Sequence, residues 1–360
     1  MNSRTIKILI KVMFVLLTIG SAGAGEEPYA VAVNPVTNKI YVANYGSQSV
    51  TIIDDDSNVT ATVNGGDSPI AVAVNLVANK IYVANYWTAK VTVIDGATNT
   101  TTSLTAGSGP LAIAVNLFTN KIYVANYHGH NVTVIDGATN HTVTVATDSL
   151  PRAVAVNPVT NRIYIANQGS NSVTIIDGAT NQIKTVNVGS SPFALAVNPV
   201  TNKIYVANNG SKDVTVIDGA TNTTITIPVG LNPRAVAVNV VTDKIYVANS
   251  GSSNVTVIDG VTNATTMLAT DTHPYNLAVN PVTNKIYVVN AGSSNVTMIY
   301  GITNTTVTLA TNRSPWDLAV NSVTNKIYVV HYKGNCVTAI DGVTNETTTI
   351  AGAIDSEIRK

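Results

Sequence analysis

The sequence predicts an all-β fold, a β-propeller of eight four-stranded antiparallel blades, and three observations carry that prediction. The first is a strict internal period. The tripeptide Ala-Val-Asn ends at Asn34, Asn75, Asn116, Asn157, Asn198, Asn239, Asn280 and Asn321, 41 residues apart each time. Prolines from Pro28 to Pro315 keep the same interval. The second is the content of each unit: four short runs rich in Val, Ile, Thr and Tyr, closed by Asn, Gly and Asp, the pattern of antiparallel strands. The third is the length, since four strands in about forty residues make one propeller blade.

Taken in chain order, the first element is a leader. Arg4 and Lys7 precede an apolar run from Ile8 to Ile19 that Lys11 interrupts, and Ala22-Gly23-Ala24 follows. Residues 1–24 therefore read as a secretory signal peptide, with an apolar part too short for a comfortable membrane anchor. Residues 25–360 read as one exported propeller domain, periplasmic, secreted or at the cell surface. Its units are 28–68, 69–109, 110–150, 151–191, 192–232, 233–273, 274–314 and 315–355, without an insertion or deletion.

The fifth unit shows the strands plainly as "FALAVN", "KIYVAN", "VTVIDG" and "TTITIPVG". The turns are "PVTN", "NGSKD" and "GATN", where Asn adopts the left-handed conformation cheaply. Several runs are apolar at successive positions, so both faces of each sheet are expected to be covered. Only Gly25–Glu27 precede the first unit after cleavage, and the tail Ser356–Lys360 is short and polar. Each blade is thus expected to close on itself, without strand exchange. Seven blades with one displaced unit is the alternative.

Composition narrows the function. Acidic and basic residues are 20 each, which argues against a nucleic-acid partner. Cys336 is the one cysteine, so no intramolecular disulfide forms. Positions repeated in every unit read as architecture: Tyr41 and its counterparts as wedges between blades, each hydroxyl with a backbone or Asn partner. Lys39 and its counterparts, Arg162 among them, are expected to be solvated. The Asp54-type residues cap the third turn in every unit but the seventh, where Tyr300 stands.

The motifs "KIYVAN" and "VTVIDGATN", with the unit length, resemble the YVTN-type β-propeller repeat family of archaeal surface-layer and bacterial exported proteins. The resemblance covers essentially the whole mature chain. It implies a binding or surface scaffold and says little about chemistry. Members are commonly seven-bladed, so eight units are a departure. Signatures of WD40, Kelch and pyrroloquinoline quinone propellers are missing.

Function is sought where the copies differ. The loops from fourth to first strand share an end with the turns between second and third strands, and variation concentrates there. The residue after the opening proline reads Tyr29, Ile70, Leu111, Arg152, Phe193, Arg234, Tyr275 and Trp316. The residue after the second-strand Asn includes Tyr45, Tyr86, Tyr127 and, in blade eight, Tyr332, with Trp87 and His128 next to it in blades two and three. The candidate ligand-binding residues are thus Tyr29, Tyr45, Tyr86, Trp87, Tyr127, His128, Arg152, Arg234, Tyr275, Trp316 and Tyr332. An aromatic arc of this kind suits a sugar or a protein partner.

No metal site or cofactor is expected. His128 and His130 lack a third ligand nearby, and Asp54–Asn58 lacks the spacing of a calcium loop. The Asn-x-Ser/Thr sequons at Asn58, Asn99, Asn140, Asn222 and Asn263 read as duplicated turn chemistry. The leading expectation is an exported, non-enzymatic scaffold that binds a ligand, glycan, cell-envelope component or protein. One alternative is a surface-layer component. Another is a lactonase- or lyase-type enzyme using Arg152, Arg234, His273 and Asp317 at the inner rim.

Overall fold

The computed structural model describes residues 25–352. The proposed leader and the tail at 356–360 lie outside the described residues. Eight sheets of four strands each follow one another along the chain, and every sheet has its strands in sequence order. In blade one these are β1 (Pro28–Asn34), β2 (Lys39–Asn44), β3 (Ser49–Asp54) and β4 (Thr60–Asn64), all antiparallel. The eighth sheet consists of its own four strands, so no terminus is exchanged. Eight blades, and not seven, form the ring. Among the described residues no helix is long and apolar enough to cross a membrane.

The burial pattern explains why the apolar runs are continuous. Ile40–Asn44 of β2 and Ser49–Ile53 of β3 are buried, because neighbouring blades cover both faces. The fourth strands are outermost and mostly exposed, and the sequence fills them with Thr, which blunts an open sheet edge. Each apolar cluster joins two blades: Tyr205, Val214 and Ile227 of blade five pack on Ile245, Val247 and Ile258 of blade six. The seam is of the same kind, with Tyr328, Val330 and Val337 against Val31, Ile40 and Val42.

The repeated tyrosines are wedges as expected, with Tyr41 and Tyr205 at 0% exposure. Their hydroxyls correct the expectation. All eight lack a hydrogen bond of ordinary geometry, although Thr37 lies near Tyr41 and Asn75 near Tyr82. Burial pushes the pKa of Tyr41 and Tyr82 up to about 12, so the phenols stay protonated.

The Lys39-type residues correct another expectation, that of solvation. Each reaches across to the next blade: Lys80 Nζ donates to Gly137 O at 2.8 Å, Lys121 to Gly178 O at 2.7 Å, and Arg162 to Gly219 O. The acceptor is the Gly of the third turn, where a Cβ at Gly137 would sit 2.3 Å from Asn120 Oδ1. That crowding is why glycine stands there. The first-turn asparagines add a second interblade tie, such as Asn75 Nδ2 to Asn120 Oδ1 at 2.6 Å. At the seam Asp55 replaces the glycine, and Lys326 meets its carboxylate at 3.0 Å.

Turn chemistry follows the sequence closely. Asp136 Oδ1 accepts from Ala138 N, Thr139 N and Thr139 Oγ1, an Asx cap that recurs in blade after blade. These bonds hold the Asp136 carboxyl below its ordinary pKa. Asn38 and Asn140 have φ of 52° and 62°, the left-handed conformation their turns require.

Candidate functional site

The channel opens between the first strands of the eight blades. Each of these strands carries a register irregularity just after its opening proline, as between Pro28 and Ala30. The extra residue is a β-bulge, which leaves it unpaired and re-aims its side chain. All eight bulge residues line one cavity of about 360 Å³. Tyr29, Arg152, Arg234, Tyr275 and Trp316, five of the residues singled out from the sequence, come together at the mouth.

The mouth is one-sided. Trp316 packs on Tyr275 with ring centroids 3.9 Å apart, and Tyr29 lies 5.6 Å from Trp316. Beyond Tyr29, in blades two and three, Ile70 and Leu111 supply an aliphatic wall. The cations lie between these. The Arg152 guanidinium carbon is 3.5 Å from the Phe193 ring centre, and that of Arg234 is 3.8 Å from the Tyr275 ring centre. Arg234 also donates through Nη2 to the Tyr275 hydroxyl, while its Nε is buried without a partner. Among the described residues no carboxylate pairs with either guanidinium. Burial, with Arg234 nearby, pulls Arg152 below the ordinary guanidinium value. Burial pushes the Tyr275 phenol up to about 12.

One layer below the mouth, the sequence is Ala30, Ala71, Ala112, Ala153, Ala194 and Ala235 in blades one to six, then Asn276 and Asp317. Asp317 is thus the acid in the cavity wall. Its Oδ1 accepts from Asn276 Nδ2 at 2.6 Å and its Oδ2 from Val31 N at 3.0 Å. Enclosure by protein, with no cation beside it, raises its pKa to about 6 despite those donors. It keeps some accessible surface because the channel runs past it. Asn276 was not singled out by the sequence reading. The signal existed: blades seven and eight alone read "NLAVN" and "DLAVN" for "AVAVN"-type strands, and "YVV" for "YVA" or "YIA" beside them. Val289 and Val330 stand opposite Asn276 and Asp317 in register.

The outer arc is continuous with this mouth. Tyr332 lies 5.4 Å from Trp316, and Tyr45 lies 6.1 Å from Tyr29. Trp87 Nε1 donates to the Tyr45 hydroxyl at 3.2 Å, and the Tyr86 hydroxyl pairs with His128 Nε2 at 2.8 Å. Tyr127 donates to Gln168 Oε1 at 3.2 Å. His273, read from sequence as an inner-rim group, is corrected: it is exposed on its loop and does not line the cavity.

The metal candidates do not converge. His128 is bound to Tyr86, whereas His130 Nδ1 accepts from Leu150 N at 3.1 Å. Asp54, Asp55 and Asp56 serve Ser57, Lys326 and Asn38 respectively, and Asp55 is buried, not exposed as its turn position suggested. Among the described residues no three His, Cys, Asp or Glu side chains gather.

No protein-family model matches the chain, and no curated protein matches it. Solved structures do. Hydrazine synthase of Kuenenia stuttgartiensis aligns at 19% identity and a TM-score of 0.65 over 91% of this chain and 99% of that one. Dihydro-heme d1 dehydrogenase NirN, in complex with DHE, aligns at 14% and 0.71 over 89% of this chain and 75% of that one. A functionally unknown protein from Desulfotomaculum acetoxidans DSM 771 aligns at 14% and 0.61 over 82% and 99%. At these identities the likeness concerns the fold. It nonetheless corrects the expectation of a non-enzyme, because two chains of this fold are named as enzymes.

Proposed function

We propose that the channel mouth is an active site that takes a ring-bearing carboxylate and moves a proton from the carbon next to its carboxyl group, as a lyase does. One observation carries this reading: two guanidiniums without carboxylate partners and an aromatic shelf enclose a small cavity whose wall holds one carboxyl, Asp317. The guanidiniums suit the substrate carboxylate, and the Tyr275–Trp316 shelf suits a ring face.

In the step itself, Asp317 as carboxylate takes the proton of the carbon next to the substrate carboxyl. The electron pair passes toward that carboxyl, where Arg152 and Arg234 stabilise the added charge. The pair then forms the carbon–carbon double bond as the oxygen on the neighbouring carbon departs. Tyr275, whose oxygen accepts from Arg234 and whose proton is free, protonates the departing oxygen, and water returns both groups to their starting states. A base whose pKa is about 6 suits this work near neutral pH.

The NirN neighbour, solved with DHE, supports a fold able to hold a ligand and act on it. Haem itself does not fit this wall. Axial ligation asks for His, Cys, Met or Tyr, and the cavity offers only Tyr29 and Tyr275, the latter bonded to Arg234. The repeat motifs support a place in the YVTN-type family, and the leader supports export.

The test is calorimetric binding of methyl glucuronide against methyl glucoside. The carboxylate sugar binds and the neutral one does not, and Arg234→Met or Arg152→Met weakens binding at least about tenfold, as loss of a charged hydrogen bond does. Equal binding of the two sugars, or affinity unchanged in both variants, overturns the reading.

A further inference from the structure

The aromatic surface does not stop at the cavity. From Trp316 and Tyr29 it passes to Tyr332 and Tyr45 and then along blades two and three, whereas blades five to seven place Asn209, Ser250 and Ala291 at the equivalent position. The rings are tied at their polar tips by the Trp87–Tyr45 and Tyr86–His128 bonds, and Trp87 remains 63% exposed. Orientation is thus fixed while a large face stays open, which lowers the entropy lost on binding.

We propose that this arc is a row of saccharide positions, so that the substrate is an oligosaccharide with one uronate in the cavity and neutral sugars along the arc. The inference rests on the reading of the cavity as a carboxylate site. Sugar rings present a C–H face that packs on an aromatic plane and hydroxyl edges that bond phenols, indoles and imidazoles. A flat apolar ligand would leave the Tyr45 hydroxyl, which accepts from Trp87 and keeps its own proton to donate, unanswered.

The paired arginines place the uronate in the cavity. The two cavity arginines lie at one end of the arc, and Glu27 sits beside Tyr332, whose phenol pKa burial and then that carboxylate raise. A second carboxylate beside Tyr332 would meet Glu27, whereas the phenols and indole of the arc are uncharged and suit neutral sugars. In the elimination step the neutral chain, attached through the oxygen on the carbon that loses its bond, is the departing group. It leaves as a free hydroxyl, and the uronate keeps the new double bond.

Calorimetry compares methyl glucuronide with a tetrasaccharide carrying one glucuronate linked through O4 to neutral sugars. The tetrasaccharide is expected to bind at least about tenfold tighter, and Trp87→Ala to erase that gain while monomer affinity holds. Equal affinity of the two ligands, or Trp87→Ala without effect, overturns the arc. Arg234-dependent monomer binding without a length effect overturns the arc alone. Loss of the Arg234 dependence overturns the reading of the cavity as well.

Discussion

At the scale of single residues, Asp317 and the buried tyrosines make opposite cases for polar groups in a β core. Asp317 has its proton held more firmly when folded, with a pKa of about 6 against an ordinary 3.8. Its contribution to stability is therefore complete below about pH 3.8 and is lost as pH rises through about 6. Two pKa units correspond to about 3 kcal/mol, an upper figure because the channel admits water. Asp317→Asn is expected to stabilise the fold at pH 8 by up to about 3 kcal/mol and to change little at pH 4; urea titrations at the two pH values check it. A variant less stable than wild type at pH 8 would show that the two hydrogen bonds outweigh the enclosed charge. The tyrosine hydroxyls are buried without a bond, and such a group costs about 1–3 kcal/mol. Tyr205→Phe is accordingly expected to raise the melting temperature, and a fall would mean that its hydroxyl has a partner after all.

At the scale of elements, the turns were legible because their chemistry is local. Asp-Gly followed by Thr-Asn asks for an Asx cap, and Asp136 with Ala138 and Thr139 supplies it. Blade seven lacks the cap, with Tyr300 in the acid's place. Tyr300→Asp should restore bonds to the backbone of Ile302 and Thr303 and raise the melting temperature. The donors lower the carboxyl pKa, so the gain is present above the ordinary carboxylate pKa and disappears as pH falls through the folded value. Melting curves at pH 7 and pH 2.5 test both halves.

Less was legible where partners lie in another blade. Lys39 looked solvated because its acceptor, Gly96 O, stands 57 residues away, at 3.4 Å. The bulge that aims Arg152 and Trp316 into the mouth is a matter of register between strands, which spacing alone does not disclose. Asn276 escaped notice for a related reason: its role depends on Asp317, one period later in the chain.

At the scale of the whole molecule, the ring is a repeat closed on itself, and its seam adds to the ordinary interblade contacts the Lys326–Asp55 pair and the bond from Val31 N to Asp317. Asn321 meets Asn38 at 3.0 Å as other blades meet their neighbours, while Lys326 neutralises Asp55, which is only 4% exposed. Removing that partner leaves a buried charge, and half-exposure of the lysine tempers the loss. Lys326→Met is expected to cost about 2 kcal/mol, more than Lys203→Met, which breaks only a bond to a carbonyl. Chemical unfolding of the two variants checks the order, and equal losses would deny the seam its special tie.

The same closed ring gives the mouth its asymmetry, since eight equal blades differ there only by the residues on the bulges and just beneath them. The most direct test of that mouth is proton exchange. Methyl glucuronide is incubated with the protein in deuterium oxide, and loss of the proton next to the carboxylate is followed by nuclear magnetic resonance. Wash-out is expected to grow as pH rises through about 6 and to vanish in Asp317→Asn. No exchange with the wild type, or exchange undiminished in Asp317→Asn, would contradict proton removal by Asp317.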